Sequence, residues 1–463
     1  MNKQNDIGAI AAPTVSAQTW TRRQILTLLS ASPLFSSLSS ADSESDRTRW
    51  YRQAKFGMFI HWGPYSLASV EASWPIMSPS KEFPITEEEY RALPKRFNPA
   101  AFDPNAWISL AKSTGQRYMV FTTKHHDGFC MFDSAYTDYK ITSTPYKKDI
   151  VAQLAEACHH EKMPIGFYYS PPDMNHPAFR DTSQPASKNW NGEPTRAVWP
   201  NYLDYMELQL RELLTRYGDV CLIWFDGLYN QRKFDGDRMH RVILELQPQT
   251  LINNRIGIPG DYETPEQFLP VGIPIKGKIL DFSHKDTGTQ PTYVPTPEEF
   301  RLWETCMTIN HTWAYNKNDR NFKSSQHLIR TLVEVASRGG NFLLNVGPEP
   351  DGSIQPEFVE RLQAIGKWMD RNSESIYGTT YGPIQGVSPV RTTAKGRDIF
   401  VHIFDWPGAK IDLVATGLPK FASASLLATG APIEFNQHDR GVTLNLPAQA
   451  PDPDVTVIAM KGA

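Results

Sequence analysis

The sequence predicts an α/β fold: a (β/α)8 TIM-like barrel followed by a C-terminal all-β sandwich. Two observations point to it. After residue 45, short apolar runs alternate with amphipathic helical segments, and near Gly378 that rhythm gives way to short alternating strands separated by Gly, Pro and Asn. Repeated strand-then-helix order implies a parallel sheet, and 463 residues suit one large barrel plus a smaller domain.

The strand-like runs are Phe56 to Trp62, Tyr118 to Thr123, Pro164 to Tyr169, Val220 to Phe225, Thr250 to Asn253 and Asn341 to Val346. Between them, Asp103-Pro104 announces a helix, as an N-cap followed by a first-turn proline, and Gly115 closes it. Further helices fit Asp149 to Glu161, Tyr202 to Arg216, Ser325 to Ser337 and Pro356 to Asn372, while Pro171 to Pro200 reads as a long loop. The expected sandwich strands include Asp398 to Phe404, Ile411 to Val414 and Val442 to Leu446. This divides the chain into a leader over 1–45, a barrel over 46–376 and a sandwich over 377–463.

The leader carries Arg22-Arg23 ahead of a mildly apolar run, Leu28 to Leu38, and small residues at Ser39-Ser40-Ala41. That pattern resembles a twin-arginine export signal, with a periplasmic or secreted destination. No later stretch is apolar for the roughly 18 to 20 residues of a spanning helix, so no membrane span is expected in the mature chain. A formal net charge of −3 without a basic stripe argues against nucleic acid as a partner. Four cysteines, Cys130, Cys158, Cys221 and Cys306, lack the paired short spacing of a zinc site and read as free core thiols.

In a parallel barrel, catalytic groups lie at the C-terminal strand ends. Here the first five runs end in His61-Trp62-Gly63, Lys124-His125-His126-Asp127-Gly128-Phe129, Tyr168-Tyr169-Ser170, Asp226-Gly227 and Asn254-Arg255. An isolated Asp-Gly is more often a turn than a catalyst. Five strand ends with hydrogen-bonding chemistry favour a site, and Asp226 is its carboxylate. A metal centre is the competing reading of the three histidines, but on a regular strand adjacent His125 and His126 point to opposite faces. The 12 Trp, 18 Tyr and 23 Phe suit stacking against sugar as well as a core.

Several stretches together resemble family 29 glycoside hydrolases, the retaining α-L-fucosidases: Phe56 to Gly63, Lys124 to Phe129, Ile223 to Gly227, Asn254-Arg255, Gly260 to Glu266 and Gly339 to Gly347. The likeness runs from about residue 48 to residue 375. It implies hydrolysis of terminal α-L-fucosyl residues from an oligosaccharide or glycoconjugate, no cofactor, and no metal. It makes Asp226 the nucleophile and Glu266 the acid/base, with Glu304 the runner-up and Glu263 a third candidate. It further implies that His61, His125, His126 and Tyr168 bind fucose hydroxyls and that Arg255 lies near the catalytic pair. Trp224 and Trp313 become apolar walls, Trp313 near the fucose methyl, and Trp74 a binding residue. Tyr168 and Tyr169 alternate on one strand, so only one of them faces the pocket.

One departure is visible: many members carry Glu-Trp where this chain has Ser73-Trp74, so a sugar-binding carboxylate is either missing or supplied by Glu71. Linkage, aglycone and oligomeric state are not encoded in these patterns. Two alternatives stand beside the hydrolase: a non-catalytic fucose-binding protein on the same barrel and a metal-dependent barrel hydrolase.

Overall fold

The computed structural model describes residues 47–463 except 82, 84, 193–197, 229–230, 278–293 and 385–388, so the expected leader lies outside the described residues. Seven strands, β1 (Phe56–Ile60), β2 (Met119–Lys124), β3 (Ile165–Tyr169), β4 (Leu222–Phe225), β5 (Leu251–Ile252), β6 (Glu304–Thr308) and β7 (Asn341–Val346), form one sheet in the order β5-β4-β3-β2-β1-β7-β6. Every pair in it is parallel.

The gap between β5 and β6 is spanned by an irregular extended segment, 261–267. It makes parallel bridges from Tyr262 to Asn253 on one side and from Glu263 and Glu266 to Trp303 and Cys306 on the other. Asp261 N donates to Ile252 O at 2.8 Å and Gln267 N to Cys306 O at 2.9 Å. This segment therefore takes the eighth stave's place, and it carries Glu266 up to the rim.

Alternation along the strands sorts the two faces. Phe59, Tyr168, Trp224 and Leu343 fill the barrel's interior, whereas Met58, Phe167, Ile223 and Leu344 face the surrounding helices. Each such fully buried apolar side chain stabilises the fold by about 1.5–3 kcal/mol.

Helix Pro104–Ser113 starts as its sequence foretells: Asp103 accepts from Asn105 N at 2.9 Å and Ala106 N at 3.3 Å, and Gly115 takes φ +84° beyond its end. Other elements differ from expectation. The helix expected from Tyr202 begins at Trp199, so the long loop ends sooner, and helix Gly236–Leu246 and strand β6 were not anticipated. No helix among the described residues is long and apolar enough to cross a membrane.

The C-terminal strands are antiparallel. They comprise β8 (Thr380–Tyr381), β9 (Val390–Lys395), β10 (Asp398–Ile403), β11 (Lys410–Val414), β12 (Phe421–Leu426), β13 (Phe435–His438), β14 (Gly441–Asn445) and β15 (Thr456–Gly462). One sheet runs β12-β15-β10-β9-β8 and the other β11-β14-β13, with Val401, Leu413, Val442, Leu444 and Ile458 among the side chains buried in their shared core. Against the barrel, Arg391 pairs with Glu334 at 2.6 Å and Trp368 Nε1 donates to Val455 O at 3.0 Å.

Candidate active site

Asp226 follows directly on β4, where the apolar run stops at the barrel's C-terminal rim. Gly227 does not adopt the left-handed backbone of a turn glycine. Instead its N–H donates to Arg255 O at 3.0 Å, and a Cβ there would fall 2.4 Å from that oxygen. The glycine thus lets the ends of β4 and β5 close together, which brings Arg255 to Asp226. Asp226 Oδ1 accepts from Arg255 Nη1 at 3.2 Å, and Oδ2 accepts from Tyr168 Oη at 3.0 Å. His126 Nε2 lies 3.5 Å from the same Oδ2.

Arg255 Nη1 also donates to Glu266 Oε2 at 2.7 Å. Its other nitrogens are fixed by Thr264, Nε to Oγ1 and Nη2 to the carbonyl, each at 2.8 Å, and its guanidinium carbon sits 4.6 Å from the Trp224 ring centroid. Burial alone would lower the pKa of this guanidinium, but the charges of Glu266 and Asp226 outweigh burial and hold it above its ordinary value. Two oxygens that reach one nitrogen at these distances are separated by no more than about 6 Å. That matches the roughly 5 Å spacing of retaining glycosidases better than the roughly 6.5–9.5 Å of inverting ones.

The other two carboxylate candidates point elsewhere. Glu304 opens β6 at the end of the barrel opposite the rim, is 0% exposed, and accepts from Trp224 Nε1 at 3.0 Å and from Tyr118 Oη. Burial pushes its pKa up to about 7 against the lowering effect of those donors. Glu263 accepts from Asn254 Nδ2 at 2.5 Å and from Arg301 Nε at 3.2 Å, away from Asp226. Of the three, only Glu266 shares Arg255 with Asp226 among the described contacts.

Tyr168 and Tyr169 separate as alternation requires. Tyr168 faces Asp226, while Tyr169 Oη donates to Gln209 at 2.8 Å on the outer side of β3.

The histidines correct one expectation. His125 and His126 lie beyond the end of β2, after a register shift between Thr122 and Lys124, and their rings turn to the same side with centroids 4.2 Å apart. The opposite-faces argument against a metal therefore does not apply to them. Each imidazole nevertheless has Nδ1 engaged: His61 with Asn345 Oδ1 at 2.7 Å, His125 with Ser73 Oγ at 2.6 Å and His126 with Ser170 Oγ at 2.6 Å. Among the described residues no group of three His, Cys, Asp or Glu has metal-holding geometry.

Burial lowers the pKa of His61 and His126 to about 3 and holds that of His125 well below the ordinary imidazole value, so all three are neutral at ordinary pH. For His126 the tautomer follows. Ser170 gives its hydrogen to Pro172 O at 2.7 Å, so Nδ1 is the donor and Nε2 keeps a lone pair directed toward Asp226. Such a nitrogen accepts from a sugar hydroxyl. Of the residues that hold the three rings, the sequence marks Ser170 only as part of a strand end, Ser73 only as the departure from Glu-Trp, and Asn345 only inside the stretch Gly339 to Gly347.

Of the tryptophans, Trp313 and Trp74 are half-buried at the site, with Trp313 5.0 Å from His61 and Trp74 6.3 Å from His126 between ring centroids. Trp224, expected as a wall, is instead 1% exposed beneath it, stacked on Tyr168 at 5.6 Å and 16°. It is the floor under Tyr168 and Arg255.

Known proteins resemble this chain over most of its length. The family model for alpha-L-fucosidase matches residues 30–374. Alpha-L-fucosidase isoenzyme 1 of Paenibacillus thiaminolyticus superposes with a TM-score of 0.78 at 35% identity, over 90% of this chain and 99% of that one. A GH29 alpha-L-fucosidase of Bacteroides thetaiotaomicron, solved as a trapped covalent intermediate with 2-fluoro-fucosyl fluoride, gives 0.74 at 28% identity over 90% and 95% of the two chains. Human plasma alpha-L-fucosidase is 28% identical over 424 residues, 86% of this chain and 85% of its own. With a matched family model covering most of its length, the chain belongs to the α-L-fucosidase family of glycoside hydrolases.

Proposed function

We propose that Asp226 and Glu266 carry the two steps of a retaining hydrolysis in this enzyme, which cleaves terminal α-L-fucosyl residues from glycans. One observation carries the assignment: both carboxylates are bound to the same nitrogen, Arg255 Nη1. In the first step the Glu266 carboxyl protonates the glycosidic oxygen while Asp226 attacks the anomeric carbon. The C–O bond breaks, the aglycone leaves as an alcohol, and a fucosyl ester on Asp226 remains. In the second step Glu266, now a carboxylate, takes a proton from water, the water oxygen attacks the same carbon, and Asp226 is released with net retention.

Tyr168 and Arg255 hold the Asp226 oxygens in an attacking position. The neutral imidazoles of His61, His125 and His126 serve as hydrogen-bonding partners for sugar hydroxyls, and Trp313 and Trp74 supply apolar surface. Export through a twin-arginine route is supported by Arg22-Arg23 and the apolar run behind them. Folded export suits four free thiols, three of them buried and Cys221 half-buried. A chromogenic aryl α-L-fucoside assayed with and without chelator tests the reaction. Turnover unaffected by chelator is expected; absence of turnover supports a binding protein, and chelator-sensitive turnover a metalloenzyme.

A further inference from the structure

The carboxylate that the Ser73-Trp74 departure leaves unaccounted for is engaged with protein. Glu71 lies at the turn between the 3₁₀ helix Pro64–Ala68 and the helix Trp74–Met77, where Ala72 takes φ +41° and its carbonyl accepts from Tyr90 Oη at 2.9 Å. From that anchored turn both Glu71 oxygens reach across 242 positions of sequence to the backbone N–H of Trp313, at 2.9 and 3.0 Å. The carbonyl of Trp313 is held from the other side: it accepts from Asn345 Nδ2 at 2.7 Å, and Asn345 Oδ1 pairs with His61 Nδ1 at 2.7 Å. Gly347 permits the approach, since a Cβ there would fall 2.6 Å from Tyr315 N and 2.8 Å from Trp313 O.

We propose that Glu71 is a positioning residue that clamps the Trp313 backbone, so that the indole forms a fixed wall of the sugar pocket, and that it does not itself bind the sugar. The inference rests on the fucosidase reading, because it assigns Trp313 the sugar's methyl-bearing side. Burial pushes the Glu71 pKa up to about 8, opposed by the N–H groups of Trp313 and Ala314 and reinforced by Asp319 and Glu266. The N–H groups of Trp313 and Ala314 occupy accepting capacity of this carboxyl that a sugar hydroxyl would otherwise use.

A wall that touches the methyl group should discriminate L-fucose from L-galactose, which differs by a hydroxyl on that carbon. The test compares Glu71→Gln, Glu71→Asp and Glu71→Ala on aryl α-L-fucoside and aryl α-L-galactoside, alongside amide hydrogen exchange over 311–316. Gln keeps an acceptor at full reach, whereas Asp is one methylene short. Glu71→Asp and Glu71→Ala should lower the fucoside-to-galactoside preference about tenfold, mainly through KM, and speed exchange in 311–316, while Glu71→Gln stays within about threefold of wild type. Exchange reports the clamp even without turnover, so an inactive wild type would overturn the reaction and leave this measurement decisive for Glu71. The proposal is overturned if Glu71→Gln loses as much as Glu71→Ala with exchange unchanged, which marks a sugar contact, or if all three variants match wild type.

Discussion

Arg255 Nη1 donates to Glu266 Oε2 at 2.7 Å, and this single bond ties the irregular eighth stave to the strand end that holds the nucleophile. Because the same nitrogen reaches Asp226, one guanidinium sets the spacing of the two carboxylates on which the reaction class depends. A lysine at position 255 would keep a charge but could not bind Thr264 through two further nitrogens at the same time. Arg255→Lys is therefore expected to lower kcat by about 10²-fold with a smaller change in KM. Steady-state kinetics on an aryl fucoside would measure this; an unchanged kcat would remove Arg255 from the account.

The acid/base assignment is tested through leaving groups. Glu266→Ala should slow substrates with poor leaving groups by about 10²–10⁴-fold, and activated aryl fucosides far less in the first step, because these need little protonation. Glu304→Gln should show no such dependence, since Glu304 faces Tyr118 and Trp224 in the barrel's interior. The same dependence at position 304 would transfer the role there.

Glu304 should instead reveal itself in stability. Its pKa is about 7 when folded and fully buried, against about 4.3 in the unfolded chain. Between these values the native state holds a proton that the unfolded state has released, so this contribution is fully present below about pH 4.3 and is lost as pH rises through 7. The loss is on the order of 4 kcal/mol. Glu304→Gln imitates the protonated carboxyl and should gain stability relative to wild type at pH 8 compared with pH 5, measured by urea unfolding. Buried His61 and His126 act with the opposite sign, their pKa values being lowered to about 3, so the difference between variant and wild type at each pH is the relevant quantity. A difference independent of pH would contradict the buried neutral carboxyl.

Much of the site was legible because buried strands end abruptly. Asp226, Arg255 and the histidines stand where apolar periodicity stops, and Tyr168 is set apart from Tyr169 by the side chain's alternation once its strand is placed. Local pattern failed where contacts are long-range or backbone is irregular. Strand β6 carries Glu304, Thr305 and Thr308 amid few apolar residues, so its burial on all sides is set by neighbouring strands and leaves little periodic signal. The closing stave around Glu266 makes isolated bridges only. Gly227 reads as a turn glycine, yet serves a close approach between strands that only the assembled barrel creates. The turn at Ala72 and the reach of Glu71 to Trp313 belong to the same class.

The nucleophile can also be probed by deletion. Asp226→Gly should abolish hydrolysis with the fold intact, and added azide should restore part of the turnover of an activated fucoside by attacking in place of the missing carboxylate. Absence of rescue in a folded variant, together with wild-type rates in its absence, would remove Asp226 from the mechanism.

The central claim is that Asp226 becomes covalently bonded to the sugar. It is tested most directly by treating the enzyme with 2-fluoro-fucosyl fluoride, digesting it, and locating the added mass by peptide sequencing. The account predicts a 2-fluoro-fucosyl ester on Asp226 alone; a label on Glu266, Glu304 or another carboxylate would contradict it.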